Sequence, residues 1–401
     1  MNYSLYKIKS RPDVFGFLFV IILSAVLFLP VVTRAVAESA DFQDHIRDAR
    51  LWAEAGMGLD QAIRPHFFYH LLVIIVHAIL PGGDWSTAAI ITTTALYMLL
   101  TAILYLLVRD VFTDRLKNYQ AIVVSILMTI GLMLISPITV LTWNQQELYL
   151  GYLAIHVYHN PTQLALKPFA LLLFLCVIRI FTAEAVRPKL IAATFLVGLA
   201  STLSKPSYAI CIIPAVGLWT LYSLIRGRTI HWGLLIIGFG GSLGLVLAWQ
   251  YFFHRSSMGG FAFRPFQVMD YYSPGTFVVK GIMSVVFPVC VYVVYFKKAV
   301  QDISLNLAWI AFGIGVGFTY LMIEPADWQS GNFLWSSQIT LLILFVISTL
   351  FVIRQYFSSL AAAGQKLDWR FYVSAGVWMV HVVSGIVWYG IQLTEGMYQW
   401  W

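Results

Sequence analysis

Apolar runs of about 20 residues recur from one end of the chain to the other, and this pattern constrains the fold more than any other feature. A helix of that length crosses the hydrocarbon core of a bilayer, which is about 30 Å thick. The chain is 60% hydrophobic and 11% charged, whereas soluble domains are roughly 25% charged. No polar interval is long enough for a soluble domain of ordinary size. We therefore expect an all-α polytopic membrane protein that forms a single integral membrane domain over residues 1–401.

Eleven of these runs are predicted to span the membrane as helices. They lie near residues 15–36, 86–108, 119–141, 166–182, 190–204, 207–225, 232–252, 277–296, 306–323, 336–354 and 371–392. A further apolar segment, His66 to Leu80, has only 15 residues and lies between Pro65 and Pro81. That length is short for a span, so we predict that this segment is half inserted.

The distribution of Lys and Arg predicts the orientation of the chain. If His66 to Leu80 does not cross, 15 of the 25 basic residues fall on one side of the membrane. By the positive-inside rule that side is cytoplasmic, with the N-terminus. The first outer loop then covers residues 37–85, and 12 of the 18 acids lie outside. The prediction is a multi-pass protein of the cytoplasmic (inner) membrane whose polar surface is extracytoplasmic.

The first outer loop contains an unusually acidic stretch, Glu38 to Gly56, with five acids and a histidine. On a helix, one face carries Asp41, Asp44, His45, Asp48 and Trp52. An apolar stripe beside it carries Phe42, Ile46, Ala49 and Ala53, and a third face carries Gln43, Arg47 and Arg50. The pattern predicts an amphipathic helix whose apolar stripe lies in the bilayer interface. The carboxylates would then stand beside the lipid headgroups, or form only a solvated face.

Four outer segments supply residues with chemistry suited to group transfer. The predicted catalytic acids, suited to deprotonating a hydroxyl, are Asp41, Asp44 and Glu147. The predicted substrate-binding residues, several suited to holding a phosphate, are His45, Arg64, His66, His159, Lys205 and Arg264. Lys205 could instead extend toward lipid headgroups without binding substrate. Asn160-Pro161 could simply start a turn, with Thr162 capping the next helix.

No residues are assigned as metal ligands. His66, His70 and His77 are spaced by four and seven residues, and we interpret them as half-buried, hydrogen-bonded side chains. No cofactor is predicted, although the acids and histidines leave room for a divalent cation. Nucleic acid is not an expected partner, because the basic residues are spread over short loops.

The acid after the first apolar run, the long first outer loop and the sequence PHFFYHLL together resemble the GT-C glycosyltransferases. That superfamily includes protein O-mannosyltransferases, lipid A aminoarabinose transferases and catalytic subunits of oligosaccharyltransferases. The resemblance covers about the first 210 residues. It implies a GT-C-like core over residues 1–225 and variable helices over residues 226–401. It also implies that Asp41, or Asp44 if the alignment shifts, is the base, and that Glu147 is the acid of the second loop.

The resemblance further implies the reaction. The donor would be a polyprenyl-phosphate-linked sugar, and the acceptor a glycan, lipid or protein at the extracytoplasmic face. Transfer would invert the sugar, with a carboxylate accepting the acceptor's proton and cations stabilising the leaving phosphate. Two alternatives remain at this point. One is a transporter or flippase of lipid-linked saccharides, and the other is a polysaccharide polymerase or ligase.

Overall fold

The structure, a computed structural model, describes residues 5–8, 10–59, 64–80, 82–113, 115–140, 143, 148–254, 260–363 and 368–397. Most of these residues are helical and very few are in strands, which confirms the all-α class. The first half contains α1 (Arg11–Glu38), α2 (Ala40–Glu54), α3 (Phe68–Ile79), α4 (Trp85–Phe112), α5 (Asn118–Leu134), α6 (Pro161–Thr182), α7 (Pro188–Ser204) and α8 (Ala209–Ile225). The second half begins with a π-helical segment, Leu234–Gly241, that continues into α9 (Ser242–His254).

The remaining elements are α10 (Gln267–Tyr272), α11 (Phe277–Val294), α12 (Phe296–Ala299), α13 (Ile303–Leu321), α14 (Leu334–Ala363) and α15 (Trp369–Thr394). A 3₁₀ helix covers Pro325–Ser330. Two short antiparallel strands, β1 (Ala262–Phe263) and β2 (Met322–Ile323), pair residue 262 with residue 323.

A helix lies at each of the eleven predicted spans. Eight helical stretches in the described residues are long and apolar enough to cross a membrane: 11–38, 85–112, 161–182, 234–253, 277–294, 303–321, 334–360 and 369–394. The helices α5, α7 and α8 have 17 residues each and are shorter than those eight. The chain is therefore a membrane-embedded helical protein.

Helix α14 forms the centre of the bundle, and α1 lies at its periphery. The apolar window of α14 is buried throughout, and α14 packs mainly against α13. On α1, by contrast, Phe15, Phe19, Ile22 and Val26 are exposed. Their spacing places them on one face of the helix. That face has the apolar surface expected of a helix in contact with lipid.

Helix α2 differs from its predicted position. The Ser39 side chain caps the helix by accepting from the backbone N–H of Phe42. The apolar stripe that begins with Phe42, Ile46 and Ala49 is buried against other helices, mainly α3. The expectation that this stripe faces lipid is therefore wrong. It is covered by protein because α3 folds back beside α2 and offers an apolar surface of its own.

Helix α3 occupies the segment that was predicted to be half inserted. It has 12 residues, which at 1.5 Å per residue span about 18 Å. A bilayer core of about 30 Å is wider than that. The length of α3 is thus the length expected of a segment that enters the membrane without crossing it.

The connection between α5 and α6 runs through the interior of the bundle. From Leu148 to Asn160 every residue is buried except Leu150, which is partly buried. A buried backbone needs hydrogen-bond partners, and neighbouring helices supply them. The backbone N–H of Leu153 donates to Ser284 Oγ over 3.0 Å, and Lys280 Nζ donates to the carbonyl of Leu150 over 3.0 Å. We call residues 148–160 the buried connection.

Candidate active site

Asp41 lies in the first turn of α2 and is held by the start of α6. Asn160 Nδ2 donates to Asp41 Oδ2 over 2.9 Å. The Oδ1 atom of Asn160 accepts from the backbone N–H of Gln163 over 2.9 Å, so Asn160 also caps α6. Beside it, Ser39 Oγ donates to the carbonyl of His159 over 3.1 Å. The capping residue of α6 therefore orients the Asp41 carboxylate, and the capping residue of α2 joins the same two helix ends.

Lys205 follows α7 and is buried beside the same helix ends. Its Nζ atom lies 4.1 Å from the centre of the Trp335 ring. Burial lowers the pKa of Lys205 to about 7, the negative charge of Asp41 opposes this change, and the positive charge of Arg64 adds to it. The ammonium is thus only partly stabilised by the protein. An anion bound next to it would favour the protonated form.

His159 is fully enclosed at the end of the buried connection. Its ring packs against Tyr149, with 5.5 Å between ring centroids, and against Trp335, with 6.0 Å. Burial, followed by the charge of Lys205, lowers the pKa of His159 to about 3. His159 is therefore neutral at physiological pH. A neutral imidazole does not attract a phosphate as a cation does, but it can still form a hydrogen bond with it.

His45 lies on the inner face of α2 and contacts α3. Its Nδ1 atom is 2.9 Å from Nε2 of His70. Its ring centroid is 6.2 Å from that of His66, which is half-buried. Burial, followed by the charges of His70, His66, Arg64 and Lys205, holds the pKa of His45 well below its usual value. Like His159, His45 is a neutral hydrogen-bonding group.

Arg64 forms an ion pair with a buried residue of α2. Its Nε atom is 2.5 Å from Oδ2 of Asp48, a carboxylate that is almost completely buried. Asp48, His45 and His70 also have ligand atoms that all lie within 4.8 Å of one another. These three residues are the ones in the described structure that could hold a metal ion.

The structure therefore gathers six of the nine predicted site residues. We call this group the α1–α2 cluster, and its members are Asp41, His45, Arg64, His66, His159 and Lys205. Most of these residues contact another member of the group or change its pKa. The pKa values affected in this way are those of His45, His159 and Lys205. A carboxylate, two cations and neutral imidazoles thus occupy one polar site at the ends of several apolar helices.

Three predicted site residues are not part of this cluster. Asp44 is partly buried on α2 and forms an ion pair with Arg47 over 3.0 Å. Arg264 is exposed next to β1, and its backbone N–H donates to the carbonyl of Leu321 over 2.9 Å. It is not among the groups that shift the pKa of Lys205, and its role in substrate binding stays a prediction. Glu147 lies outside the described residues.

Four residues of the site were not selected from the sequence. Asp48 follows His45 by three residues, so the two side chains lie on the same face of a helix. This spacing could have been used to select Asp48 together with His45. His70 was noted only for its spacing from other histidines. Asn160 was considered as part of a turn. Trp335 carries no such signal, because it comes 130 positions after Lys205 and reaches it only through the packing of α14.

Comparison with known proteins gives no family for this chain. No protein-family model matches it. No curated protein sequence matches it significantly.

Proposed function

We propose that this protein is an integral membrane glycosyltransferase of the GT-C type. It would transfer a sugar from a polyprenyl-phosphate-linked donor to an acceptor at the extracytoplasmic face. The observation that carries the proposal is that Asp41 lies close enough to Lys205 to affect its pKa while each residue is held by a different, uncharged group. The carboxylate accepts a hydrogen bond from a neutral amide, and the lysine rests on an aromatic ring. A base and an anion-binding group are the two functions that such a transfer needs.

In the proposed reaction, Asp41 removes the proton from a hydroxyl group of the acceptor. The acceptor oxygen attacks the anomeric carbon of the sugar from the side opposite the phosphate, which inverts that carbon. The bond between the anomeric carbon and the phosphate oxygen breaks, and its electron pair leaves with the polyprenyl phosphate. Lys205 and Arg64 stabilise the charge that grows on this leaving group. The proton ends on Asp41 and is then released to water.

The surroundings of Asp41 favour it over Asp44 as the base. Asp41 is partly buried, and the Asn160 amide orients its carboxylate. Asp44 is also partly buried, but it is paired with Arg47. A base must be held within hydrogen-bond reach of the proton that it removes. The carboxylate oriented by an uncharged amide meets this requirement better than the one bound by an arginine.

The finer topology is part of the same proposal. Eleven spans, with α3 half inserted and a cytoplasmic N-terminus, would place the α1–α2 cluster at the extracytoplasmic face. The charge distribution of the loops supports this arrangement. The 12-residue length of α3 supports it independently.

A transfer assay with purified protein tests the function. The protein is reconstituted in nanodiscs with a series of synthetic polyprenyl-phosphate sugars, and release of polyprenyl phosphate is measured with and without membrane extracts as acceptor. We expect release that depends on the acceptor and stops in Asp41→Asn. The same donors in sealed vesicles distinguish the transporter alternative. Movement of an intact donor across the bilayer, with no bond cleavage, would contradict the proposal.

Cysteine labelling in intact cells tests the topology. The native cysteines Cys176, Cys211 and Cys290 are first replaced, and single cysteines are then placed at Gln61, Asp84 and Lys117. We expect an impermeant reagent to label the sites at 61 and 84 and to reach the site at 117 only after permeabilisation. Labelling at 61 with protection at 84 would mean that α3 crosses and that the later loops are inverted.

A further inference from the structure

We propose that His45, Asp48 and His70 form a binding site for a Zn²⁺ ion that joins α2 to α3. All three residues are buried, and their ligand atoms lie within 4.8 Å of one another. Two of them come from α2 and the third from α3, so an ion held by all three would fasten the two helices together. The proposal depends only on these three residues and not on glycosyl transfer.

The two imidazoles already have a separation close to that of metal ligands. His45 Nδ1 and His70 Nε2 are 2.9 Å apart. A tetrahedral Zn²⁺ ion binds nitrogen at about 2.0–2.1 Å, which separates neighbouring ligand atoms by about 3.3 Å. His45 and Asp48 are one helical turn apart and lie on the same face of α2. The Asp48 carboxylate lies within 4.8 Å of the ligand nitrogens of both histidines, so it is the third residue of the set.

The hydrogen bonds of His70 suit a metal ligand. The ring of His70 forms a hydrogen bond with the backbone of Phe67. Bonds of this kind fix the orientation and tautomer of ligating histidines. One of the two rings donates the hydrogen bond between His45 and His70. Metal binding requires that this ring adopts its other tautomer, so that both facing nitrogens have a free lone pair.

The charges around the site define its fourth ligand. Asp48 uses Oδ2 to bind Arg64, and its Oδ1 atom is 3.9 Å from the guanidinium of Arg47. A Zn²⁺ ion bound by one carboxylate and two neutral imidazoles keeps one net positive charge. Two arginines lie beside the site and add to this charge. Zn²⁺ sites with three protein ligands accept a fourth from solution. The excess positive charge favours an anionic oxygen ligand in that position.

Metal content measured by mass spectrometry tests the site. The protein carries a tag without histidine and is purified from cells supplied with zinc. We expect about one Zn²⁺ per chain in the wild type and loss of most of it in His70→Ala and in His45→Ala. The control is His77→Ala, because His77 also lies on α3 but stacks on Trp85 at 3.8 Å, away from α2. This control should keep its zinc.

A second measurement uses only the wild-type protein, so it does not require that a variant folds. Wild-type protein treated with a chelator is titrated with Co²⁺, and the visible absorption bands of tetrahedral cobalt are recorded. We expect saturation near one Co²⁺ per chain, reversed by Zn²⁺. The proposal is overturned if the wild type contains no zinc and binds no Co²⁺. It is overturned equally if His77→Ala loses as much zinc as His70→Ala.

Discussion

The two ends of α1 each meet a cluster of charged residues, and the two clusters are built differently. At the start of α1, Asp13 accepts from Arg109 over 3.0 Å, from Tyr6 over 3.0 Å and from Ser10 over 2.6 Å. Arg109 in turn bonds Asn118 and lies over the Tyr6 ring at 4.5 Å. In this Asp13 cluster, an acid and a base are buried together and bind each other directly.

The α1–α2 cluster, just beyond the other end of α1, contains an acid and a base that are kept apart. Asp41 accepts from an uncharged amide, and Lys205 lies against an aromatic ring. Charges at the edge of a membrane are costly unless they are paired. A pair bound within the protein contributes to its stability, whereas a separated pair keeps both groups available for a ligand. This contrast supports a structural role for the first cluster and a functional role for the second.

The largest effect should follow from removing the proposed base. We expect Asp41→Asn to lower the transfer rate by about 10²–10⁴-fold, because the amide cannot accept the acceptor's proton. Donor binding and thermal stability should stay near wild type. The measurement is kcat with a synthetic donor. Asp44→Asn is the matched control on the same helix and should change little. Equal losses in both variants, or more than about half of the rate in Asp41→Asn, would contradict this assignment.

Breaking the Asp13 cluster should affect stability rather than catalysis. Asp13→Asn leaves Arg109 buried without its counter-charge, which costs about 3–5 kcal/mol in comparable pairs. Unfolding in mixed micelles, followed by circular dichroism, would measure this loss. The double variant Asp13→Asn with Arg109→Met should recover part of it. A loss of kcat per folded molecule would mean that this cluster also takes part in the reaction.

Removing the lysine of the α1–α2 cluster should weaken donor binding. A charged hydrogen bond contributes about 1.5–3 kcal/mol, so Lys205→Ala should raise the donor KM about 10–100-fold. The acceptor KM should change less. Lys205→Arg should restore only part of the affinity, because the larger guanidinium must fit against Trp335. If donor KM and kcat are unchanged in Lys205→Ala, the phosphate binds elsewhere, near Arg64.

The same lysine predicts how donor binding depends on pH. Its pKa in the free protein is lowered to about 7, and only the protonated form attracts a phosphate. The donor KM should therefore be constant below pH 7 and should rise above it. His45 and His159 are neutral throughout this range, so they do not mask the change. Lys205→Arg should remove the rise, since Arg stays charged. A wild-type KM that is flat from pH 6 to 9 contradicts the prediction.

The smallest effect should come from Asn160, which serves both α6 and Asp41. Asp is as good a helix cap as Asn, so Asn160→Asp should keep the cap of α6, but it buries a second carboxylate beside Asp41 and should lower thermal stability. It replaces the amide that orients Asp41 with a second carboxylate. We expect a loss of about tenfold in kcat from this change. Asn160→Ala would instead lose the cap as well, and comparison of the two separates capping from orientation.

The sequence predicted the helices well because the pattern of apolar runs depends only on neighbouring residues. It also predicted that the acidic stretch forms an amphipathic helix. It could not predict that the stripe containing Phe42 faces protein, because lipid and a neighbouring helix select the same residue types. For the site, residue type and position selected Asp41 and Lys205, whose roles stay predictions. The sequence could not predict that Arg264 lies next to β1, because two-residue strands have no recognisable pattern.

The route of the buried connection also has a consequence for how the chain is made. Its backbone is held by Lys280 and Ser284 of α11, and Lys205 rests on Trp335 of α14. When the first 225 residues have left the ribosome, Lys280, Ser284 and Trp335 have not yet been synthesised. The nascent chain then lacks the hydrogen bonds that α11 gives to the buried connection, and it lacks the aromatic ring beside Lys205. The α1–α2 cluster can therefore reach its final arrangement only after α14 has been made.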